Sequence, residues 1–420
     1  MHPQTVRFID YWLGVPLCFL LTLCRLVVPA RRAPVQKVLF LKFIEQGATV
    51  LAQDAIARAT AWVGRDHVYF CVFESNRAIL DLLDTIPKSN VIVIRDRRLL
   101  ACLVDFWKAL RAVRDARIDA TIDLEFFSRA SAIFACLTGA TTRAGLHRFT
   151  SELPYRGDLM THRVQYNPYV HVATQYALLV EAARSEPSEL PLLKAPLPLA
   201  PVSTPGITAA APVFTPTDEE TRRMRERLVA GPAQGLPRPI ILLNPNASDL
   251  LPLRKWPGDR FVELGRQIVA QYPAALIVVT GAPAERPAAD TLCQEIGSSR
   301  AICLAGRTTL RELLTLYTLA DVMVTNDSGP AHFASLTPVS TVVLFGPETP
   351  RLFGALSPST VVIWKELACS PCVNVFNHRF SPCRDNVCMQ LITVEEVCAA
   401  VASCLARPRP GHRADERGPA

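Results

Sequence analysis

Two series of short apolar runs, each alternating with helix-like segments, limit most strongly what this chain can fold into. The first series is KVLFLK (37–42), HVYFCVF (67–73), NVIVI (90–94) and ATIDL (120–124). The second series is IILLN (240–244), LIVVT (276–280), AICL (301–304), DVMVT (321–325) and TVVLF (341–345). Such alternation favours βαβ units, and therefore parallel sheets covered by helices on both faces. Ligands of such sheets bind beyond the carboxyl ends of the strands.

A proline-rich stretch separates the two series. Residues 185–217 contain eight prolines, a density that no regular element tolerates. We therefore expect a linker at 185–217 between two doubly wound, Rossmann-like domains that face a cleft. The N-terminal domain takes residues 34–184 and the C-terminal domain takes 218–405. Residues 406–420 are rich in Pro and Arg and predict a disordered tail.

The net charge of +7 lies mostly at the two ends of the chain. Residues 1–37 hold five basic residues against one acid, and residues 407–420 hold four arginines against two acids. A nucleic-acid-binding domain needs a basic patch of its own. The distribution therefore predicts no nucleic-acid partner and favours a membrane surface for the N-terminal end.

The N-terminal segment reads as a hydrophobic membrane anchor over residues 1–33. Residues 11–28 are apolar apart from Arg25, a length near the roughly 20 residues that a bilayer span needs. Arg31 and Arg32 follow this run, so the bulk of the protein is expected on the cytoplasmic side of the membrane. The segment is expected to span the bilayer or lie in its interface. The alternative is a hydrophobic helix packed on the soluble domain.

Several well-known motifs are absent from the sequence. It has no G-x-G-x-x-G fingerprint, no G-K-[ST] P-loop, no G-x-S-x-G elbow and no D-x-D pair. These absences argue against dehydrogenases, P-loop NTPases, α/β-hydrolases and metal-dependent sugar transferases. They predict no cofactor, and an anionic ligand held by backbone amides and basic side chains.

The most informative motif is DVMVTNDSGPAHFASL, residues 321–336. Asp327 and Ser328 are N-cap types after a strand, and Gly329 permits a close backbone approach. A helix N-terminus at this point favours an anion such as a diphosphate, to which His332 in the first turn could donate. The alternative is an ordinary capped turn with His332 on the surface.

A second segment, LLNPNASDLLPLRKWPGDRF (242–261), follows another strand. A hydroxyl at Ser248 and cations at Arg254 and Lys255 suit phosphate binding. The alternative is a solvated loop in which Trp256 serves as a packing anchor.

These segments together resemble glycosyltransferase family 9, the ADP-heptose:lipopolysaccharide heptosyltransferases, over most of residues 35–404. The resemblance rests on four segments: TNDSGPAHFASL (325–336), VVLFGPETPRLFG (342–354), NPNAS with RKWP (244–257), and DATIDLEFFSRASAIFACLTGATTRAGLHR (119–148). It implies a GT-B fold with the donor in the C-terminal domain and the acceptor in the N-terminal one. It also implies inverting, metal-independent transfer from a nucleotide-diphospho-sugar, most simply ADP-heptose-like, to a lipid-linked acceptor in a lipopolysaccharide core or another surface glycan.

The resemblance also implies site residues by position. The donor side takes Ser248, Arg254, Lys255, Glu285, Asp327, Ser328, Gly329 and His332. The acceptor side takes Gly47, Asp123 and Arg129.

The first loop departs from the family pattern. The family places an Asp directly after a Gly as the catalytic base, whereas Gly47 here is followed by Ala48. A methyl group cannot accept a proton, so Glu45, three residues earlier, becomes the predicted base. Asp54, further along the next helix, is a poorer candidate.

The sequence is also compatible with two other functions. A catalytically silent regulator or scaffold would keep the donor pocket and lose the base, as Ala48 suggests. A nucleotide-sugar epimerase could share the fold.

Four cysteines near the C-terminus, Cys369, Cys372, Cys383 and Cys388, have a spacing in which a zinc site is conceivable. The resemblance weighs against zinc, because the family often carries a C-S-P-C segment there. The prediction is therefore no metal, with thiols or a labile disulfide instead.

Overall fold

The computed structural model describes residues 8, 10–27, 34–147, 156–194, 214–229, 235–247, 251–376 and 380–407. It divides into two compact units, Met1–Thr204 and Pro205–Ala420. Ser248, residues 195–213 of the predicted linker and residues 408–420 of the predicted tail lie outside the described residues.

Unit 1 is built on a six-stranded parallel sheet. Its strands are β1 (Val38–Leu41), β2 (Val68–Phe73), β3 (Val91–Ile94), β4 (Ala120–Asp123), β5 (Thr142–His147) and β6 (His162–Gln165). Their order is β3-β2-β1-β4-β5-β6, with parallel pairing throughout. Every residue of β1 and β4 is buried, as expected for central strands covered on both faces.

The helices of unit 1 cover both faces of this sheet. They are α1 (Gly14–Val27), α2 (Gln46–Leu51), α3 (Gln53–Val63), α4 (Arg77–Leu83), α5 (Leu99–Asp115), α6 (Arg129–Leu137) and α7 (Val172–Arg184). On one face, α5 packs on α6 through Phe106 and Phe134, whose ring centroids lie 5.0 Å apart. On the other, α3 and α7 are joined by the ion pair of Arg58 and Glu181 at 3.1 Å.

Helix α1 packs against unit 1 along one side. Cys18 is fully buried in the same core cluster as Leu159 and Met160, and Thr22 accepts a hydrogen bond from the Asp158 N–H at 3.0 Å. Among the residues that the structure describes, no helix is both long enough and apolar enough to cross a membrane.

Unit 2 repeats the same plan. Its strands are β7 (Ile240–Asn244), β8 (Leu276–Val279), β9 (Ala301–Cys303), β10 (Val322–Asn326), β11 (Ser340–Phe345) and β12 (Thr360–Trp364). Their order is β12-β11-β10-β7-β8-β9, again parallel. The helices are α8 (Asp218–Leu228), α9 (Gly258–Gln271), α10 (Arg286–Ile296), α11 (Leu310–Leu319), α12 (Gly329–Ala334), α13 (Pro350–Phe353), α14 (Val387–Gln390) and α15 (Val394–Ala406).

Three helices of unit 2 begin with a reciprocal capping box. Thr217, Thr309 and Thr393 each accept a hydrogen bond from the N–H of a glutamate three residues later, and that glutamate accepts one in return. The T-x-x-E pattern satisfies two otherwise unpaired amides at each helix start.

In both sheets the order in which the chain adds strands reverses at the centre. In unit 1 the chain leaves β1 towards β2 and later returns to place β4 on the other side of β1. Unit 2 does the same at β7 and β10. The loops that follow these two central strands therefore diverge at the carboxyl edge and leave room for a ligand. The two parallel-sheet units confirm the predicted doubly wound α/β class.

Candidate functional site

The candidate donor-side site of unit 2 lies beyond the carboxyl ends of β7 and β10. Asn326, the last residue of β10, is fully buried and holds the loop that follows β7. Its Nδ2 donates to the Pro245 carbonyl at 3.0 Å, and its Oδ1 accepts from the Trp256 N–H at 3.0 Å. This side chain therefore brings the segment 245–256 against residues 327–332.

Arg254 carries the positive charge of this site. Its Nη1 lies 3.4 Å from Asp327 Oδ2 and 3.9 Å from Glu348 Oε2. The two carboxylates are nearly inaccessible, and Arg254 is 13% exposed. One guanidinium between two buried carboxylates is fixed in position by both of them.

The residues after Asp327 form the start of α12. Ser328 is the extended N-cap residue, and its hydroxyl donates to the Asn326 carbonyl at 3.2 Å. Gly329 begins the helix, and His332 is buried within it. Two chain segments at one sheet edge thus carry five of the predicted residues. Arg254 lies on the segment after β7, and Asp327, Ser328, Gly329 and His332 lie on the loop and helix after β10.

Lys255 and Glu285 have other surroundings. Lys255 is half-buried, and its carbonyl accepts a long hydrogen bond from Asn386 Nδ2 at 3.5 Å. Glu285 lies beyond β8, where its Oε2 accepts from the Ala282 N–H at 2.6 Å. A role for either side chain at the donor stays a prediction.

The Asn326 contacts give a stability prediction. Asn326→Ala should lower the free energy of unfolding by about 1–3 kcal/mol, because the Trp256 N–H and the Pro245 carbonyl lose a buried partner. Urea unfolding followed by tryptophan fluorescence measures the loss. Asn246→Ala, which removes only a 3.4 Å contact to the Thr280 carbonyl, is the control and should change much less. Equal losses in the two variants would contradict the bridging role.

The candidate acceptor-side site of unit 1 lies beyond the carboxyl ends of β1 and β4. Glu125, just after β4, accepts from the Phe43 N–H at 2.7 Å and from the Ile44 N–H at 3.3 Å through Oε1. Its Oε2 accepts from Lys42 Nζ at 3.0 Å, and the same ammonium donates to Glu45 Oε2 at 3.0 Å. The fully buried Lys42 therefore joins two carboxylates that lie on the loops after two different strands, β1 and β4.

Glu45 is presented by an unusual backbone conformation. Its φ is +71°, in the left-handed region that non-glycine residues rarely adopt, at a typical cost of about 1–3 kcal/mol. The bonds from Glu125 to the two preceding amides hold the loop in this shape. The Glu45 side chain is 23% exposed, whereas Gly47 is buried and Ala48 lies on the following helix α2.

Asp123 and Arg129, both predicted on the acceptor side, are buried. Asp123 Oδ2 accepts from Arg156 Nη1 and from the Ser131 hydroxyl, each at 2.9 Å. Burial raises the pKa of Asp123 to about 6, although the nearby Arg156 opposes the shift. Arg129 Nη1 lies 2.6 Å from Asp10 Oδ2, just before α1. The structure thus gives both residues protein partners, and their contact with an acceptor stays a prediction.

The C-terminal cysteines are close in sequence, but in the described part of the chain they are not grouped with other metal-ligand side chains. All thirteen cysteines lie in the part of the chain that the structure describes, and they form no disulfide. Within those same ranges no three His, Cys, Asp or Glu side chains are grouped to hold a metal ion. Burial raises the pKa of the Cys388 thiol to about 11, which keeps it protonated and unreactive near neutral pH.

Sequence reasoning assigned no role to several residues that build these sites: Lys42, Glu125, Arg156, Asn326 and Glu348. Two of them had a usable signal. Glu125 directly follows a predicted strand, and Glu348 lies just after another within FGPETP.

A family model described as glycosyltransferase family 9 (heptosyltransferase) matches residues 105–379. This range is well over half of the chain and includes the loops after β4, β7 and β10. The chain belongs to glycosyltransferase family 9. The resemblance that the four sequence segments indicate is confirmed.

Curated relatives of this family 9 chain match it over a shorter range. Lipooligosaccharide heptosyltransferase 2 of Haemophilus influenzae is 32% identical over 130 residues, which are 30% of this chain and 36% of the relative. That of Campylobacter jejuni is 28% identical over 168 residues, which are 38% of this chain and 48% of the relative. The chain thus spans between a third and a half of the length of these relatives.

Solved structures match this family 9 chain over nearly its whole length. An Escherichia coli ADP-heptose LPS heptosyltransferase II has a TM-score of 0.64 at 18% identity, over 88% of this chain and 98% of that one. The E. coli heptosyltransferase WaaC with ADP has a TM-score of 0.59 at 16% identity, over 88% of this chain and 99% of that one. These matches confirm the predicted GT-B fold.

Proposed function

We propose that this family 9 protein is an inverting, metal-independent glycosyltransferase. It moves a heptose-like sugar from a nucleotide-diphospho-sugar, of the ADP-heptose type, to a lipid-linked acceptor in a lipopolysaccharide core or another surface glycan. The observation that carries the proposal is the Arg254 guanidinium, held by Asp327 and Glu348 where the loops after β7 and β10 diverge. The relatives are named heptosyltransferases, which supports a heptose as the sugar. The structure of WaaC was solved with ADP, which supports ADP as the nucleotide.

The donor diphosphate binds beside basic side chains of unit 2. Arg254, Lys255 and His332 neutralise the charge that develops on the leaving nucleoside diphosphate, a preorganised electrostatic effect that otherwise a divalent ion supplies. Asp327 accepts a hydrogen bond from Arg254, and both Asp327 and Glu348 accept hydrogen bonds from donor hydroxyls. The absence of a D-x-D pair in the sequence supports transfer without a metal.

The acceptor hydroxyl is activated on unit 1. Glu45 takes the hydroxyl proton as the oxygen attacks the anomeric carbon, the new glycosidic bond forms with inversion, and the nucleoside diphosphate leaves. Lys42 fixes the Glu45 carboxylate through a salt bridge at 3.0 Å. Glu125 in turn holds Lys42 through a second salt bridge, also at 3.0 Å. A positioned carboxylate of this kind contributes about 10²–10⁴-fold to the rate.

Nucleotide binding tests the donor site. Isothermal titration of the full chain against ADP, UDP, GDP and their common sugars should show selective binding of one nucleotide, expected to be ADP. Asp327→Ala should weaken that binding by about 10–100-fold, because charge-assisted hydrogen bonds contribute about 1.5–3 kcal/mol. Asp290→Ala, which removes a surface pair with Arg286, is the matched control and should bind like wild type. No binding of any nucleotide by wild type would contradict the proposal.

A catalytically silent nucleotide-sugar-binding regulator or scaffold is the second candidate. Ala48 at the family's base position favours it. Both candidates predict nucleotide binding, so turnover separates them. Release of the nucleoside diphosphate in the presence of donor and acceptor supports the transferase, whereas binding without turnover for every donor supports the silent protein.

We also propose that the protein works at the cytoplasmic face of the inner membrane. Arg31 and Arg32 after the apolar segment support this orientation. The exposure of Leu13, just before α1, and of Phe19 and Leu20 in α1 supports contact of this segment with a membrane.

A further inference from the structure

We propose that helices α5 and α1 form one lipid-binding surface, by which unit 1 lies on an anionic bilayer. This surface is called here the α5–α1 surface. It comprises Leu99, Leu100, Leu103, Val104 and Trp107 of α5, Leu13 just before α1, and Phe19, Leu20 and Leu23 of α1. It deepens the membrane placement proposed above by adding a second helix that the sequence did not indicate. Lipid binding itself requires neither a donor nor turnover.

Helix α5 carries an apolar stripe on its outer side. Leu100, Val104 and Trp107 recur at helical spacing and are 78%, 49% and 63% exposed. The opposite side of the same helix supplies Ala109 and Leu110 to the core. Packing within unit 1 therefore accounts for one side of α5 and leaves the other unexplained. A contiguous apolar patch of this kind marks an interaction site.

Helix α1 has the same two-sided character. Cys18 is fully buried in the core of unit 1, whereas Leu20 is 55% exposed and Phe19 is 57% exposed. A helix that served only to complete the core would expose polar side chains here.

The two apolar sides lie on the same face of unit 1. Helix α6 contacts both of the other helices, and its residues 131–135 are all buried. Phe106 of α5 contacts Phe134 of α6, and Gly14 of α1 lies against Arg129 of α6. Helices α5 and α1 therefore both pack against α6, on the same face of unit 1.

The charges around the stripe fit an anionic bilayer. Exposed cations surround the apolar side chains of α5: Arg97, Arg98, Lys108, Arg111, Arg114 and Arg117. In the same segment, Asp96 is partly buried, Asp105 is buried against Arg95, and the exposed Asp115 lies 3.8 Å from Arg111. Tryptophan and arginine beside leucine are typical of helices that lie in a membrane interface. A second copy of the chain would instead set these cations against each other, so lipid headgroups are the better partner.

The surface lies near the proposed acceptor site. Helix α5 begins after the carboxyl end of β3, and Asp10, before α1, pairs with Arg129 at the start of α6. The apolar halves of both helices thus lie at the sheet edge that carries Glu45. If the proposed function holds, a lipid-linked acceptor reaches Glu45 from the bilayer on this side.

Vesicle flotation of the full chain tests the surface. Wild type should float with vesicles that contain phosphatidylglycerol, and should bind phosphatidylcholine vesicles less. Leu100→Glu with Trp107→Glu, and separately Leu13→Glu with Leu20→Glu, should each lower the vesicle partition coefficient at least about tenfold, because each pair removes two apolar side chains from the lipid. Arg111→Glu with Arg114→Glu should weaken binding mainly to the anionic vesicles.

Controls keep the test specific to this surface. Tyr169→Glu with Leu190→Glu alters two exposed apolar residues outside it and should float like wild type. Far-ultraviolet circular dichroism and a cooperative urea unfolding transition verify that each variant is folded, and flotation uses no donor, so a failed transferase proposal leaves this result intact. Undiminished flotation of the α5 variant would overturn the proposal. A dimer in size-exclusion chromatography that the α5 variant converts to monomer would also overturn it, in favour of a second copy.

Discussion

Replacing Glu45 by glutamine should lower kcat by about 10²–10⁴-fold, the range typical of a lost general base. Glutamine keeps the size of the side chain and can still accept a hydrogen bond from Lys42, so the loop should retain its shape. The Kd for the nucleotide should stay unchanged, because the proposed donor site lies in unit 2. Initial rates of nucleoside diphosphate release at saturating donor and acceptor measure the effect.

Two further variants identify the proton acceptor. Glu74→Gln changes an exposed carboxylate beyond the neighbouring strand β2 and should keep nearly full activity. Ala48→Asp combined with Glu45→Gln restores a carboxylate at the position where the family has one, and should recover part of the lost rate. Full activity of Glu45→Gln alone would reject Glu45 as the base.

Replacing Arg156 by methionine should destabilise unit 1 by about 3–5 kcal/mol. The side chain of Asp123 is fully inaccessible, and removal of its cationic partner leaves a buried charge uncompensated. Asp123→Asn combined with Arg156→Met should recover most of this loss, because the amide keeps an acceptor for the Glu125 N–H without the charge. Urea unfolding measures both variants, and a loss below about 1 kcal/mol for Arg156→Met would contradict the role of the pair.

The same variant should also change how stability depends on pH. In wild type, the pKa of Asp123 is about 6 in the folded protein, above its usual value of about 3.9 in an unfolded chain. The folded state therefore holds the proton more tightly between these values, and the free energy of unfolding contributed by Asp123 falls as the pH rises through that window. Loss of Arg156 removes the group that opposes the upward shift, so the window should extend to higher pH. The destabilisation by Arg156→Met should be larger at about pH 8 than at about pH 5.

The central strands of both sheets were predictable, because buried parallel strands read as continuous apolar runs. The sequence does not predict strands β5 and β6, since TRAGLH is half polar and HRVQ has a single apolar residue. The chain alone does not indicate that they extend the sheet: β5 pairs along β4, and β6 pairs along β5 at the edge. Strand β12 at the other sheet's edge was missed as well, although its sequence TVVIW is apolar.

The positions of the candidate sites followed from the motifs, but their internal bonding did not. The order of strands puts the loops after β1 and β4 together, which is how Lys42 comes to share its ammonium between Glu45 and Glu125. Asn326 reaches Trp256 across 70 positions of sequence, and no local pattern encodes such a pairing. The positive φ of Glu45 likewise depends on Glu125, a residue 80 positions away.

The packing of α1 has a consequence for the order of events during synthesis. Its protein partners come much later in the chain, with Arg129 119 positions after Asp10 and Asp158 136 positions after Thr22. At about 5–20 residues per second, the ribosome needs on the order of ten seconds to make them. Throughout that interval the nascent helix has its apolar side chains and no folded partner, and a nearby bilayer is the apolar phase available to it. If the proposed lipid binding holds, attachment of this helix to the membrane is expected to precede the completion of unit 1, so that unit 1 folds at the membrane surface.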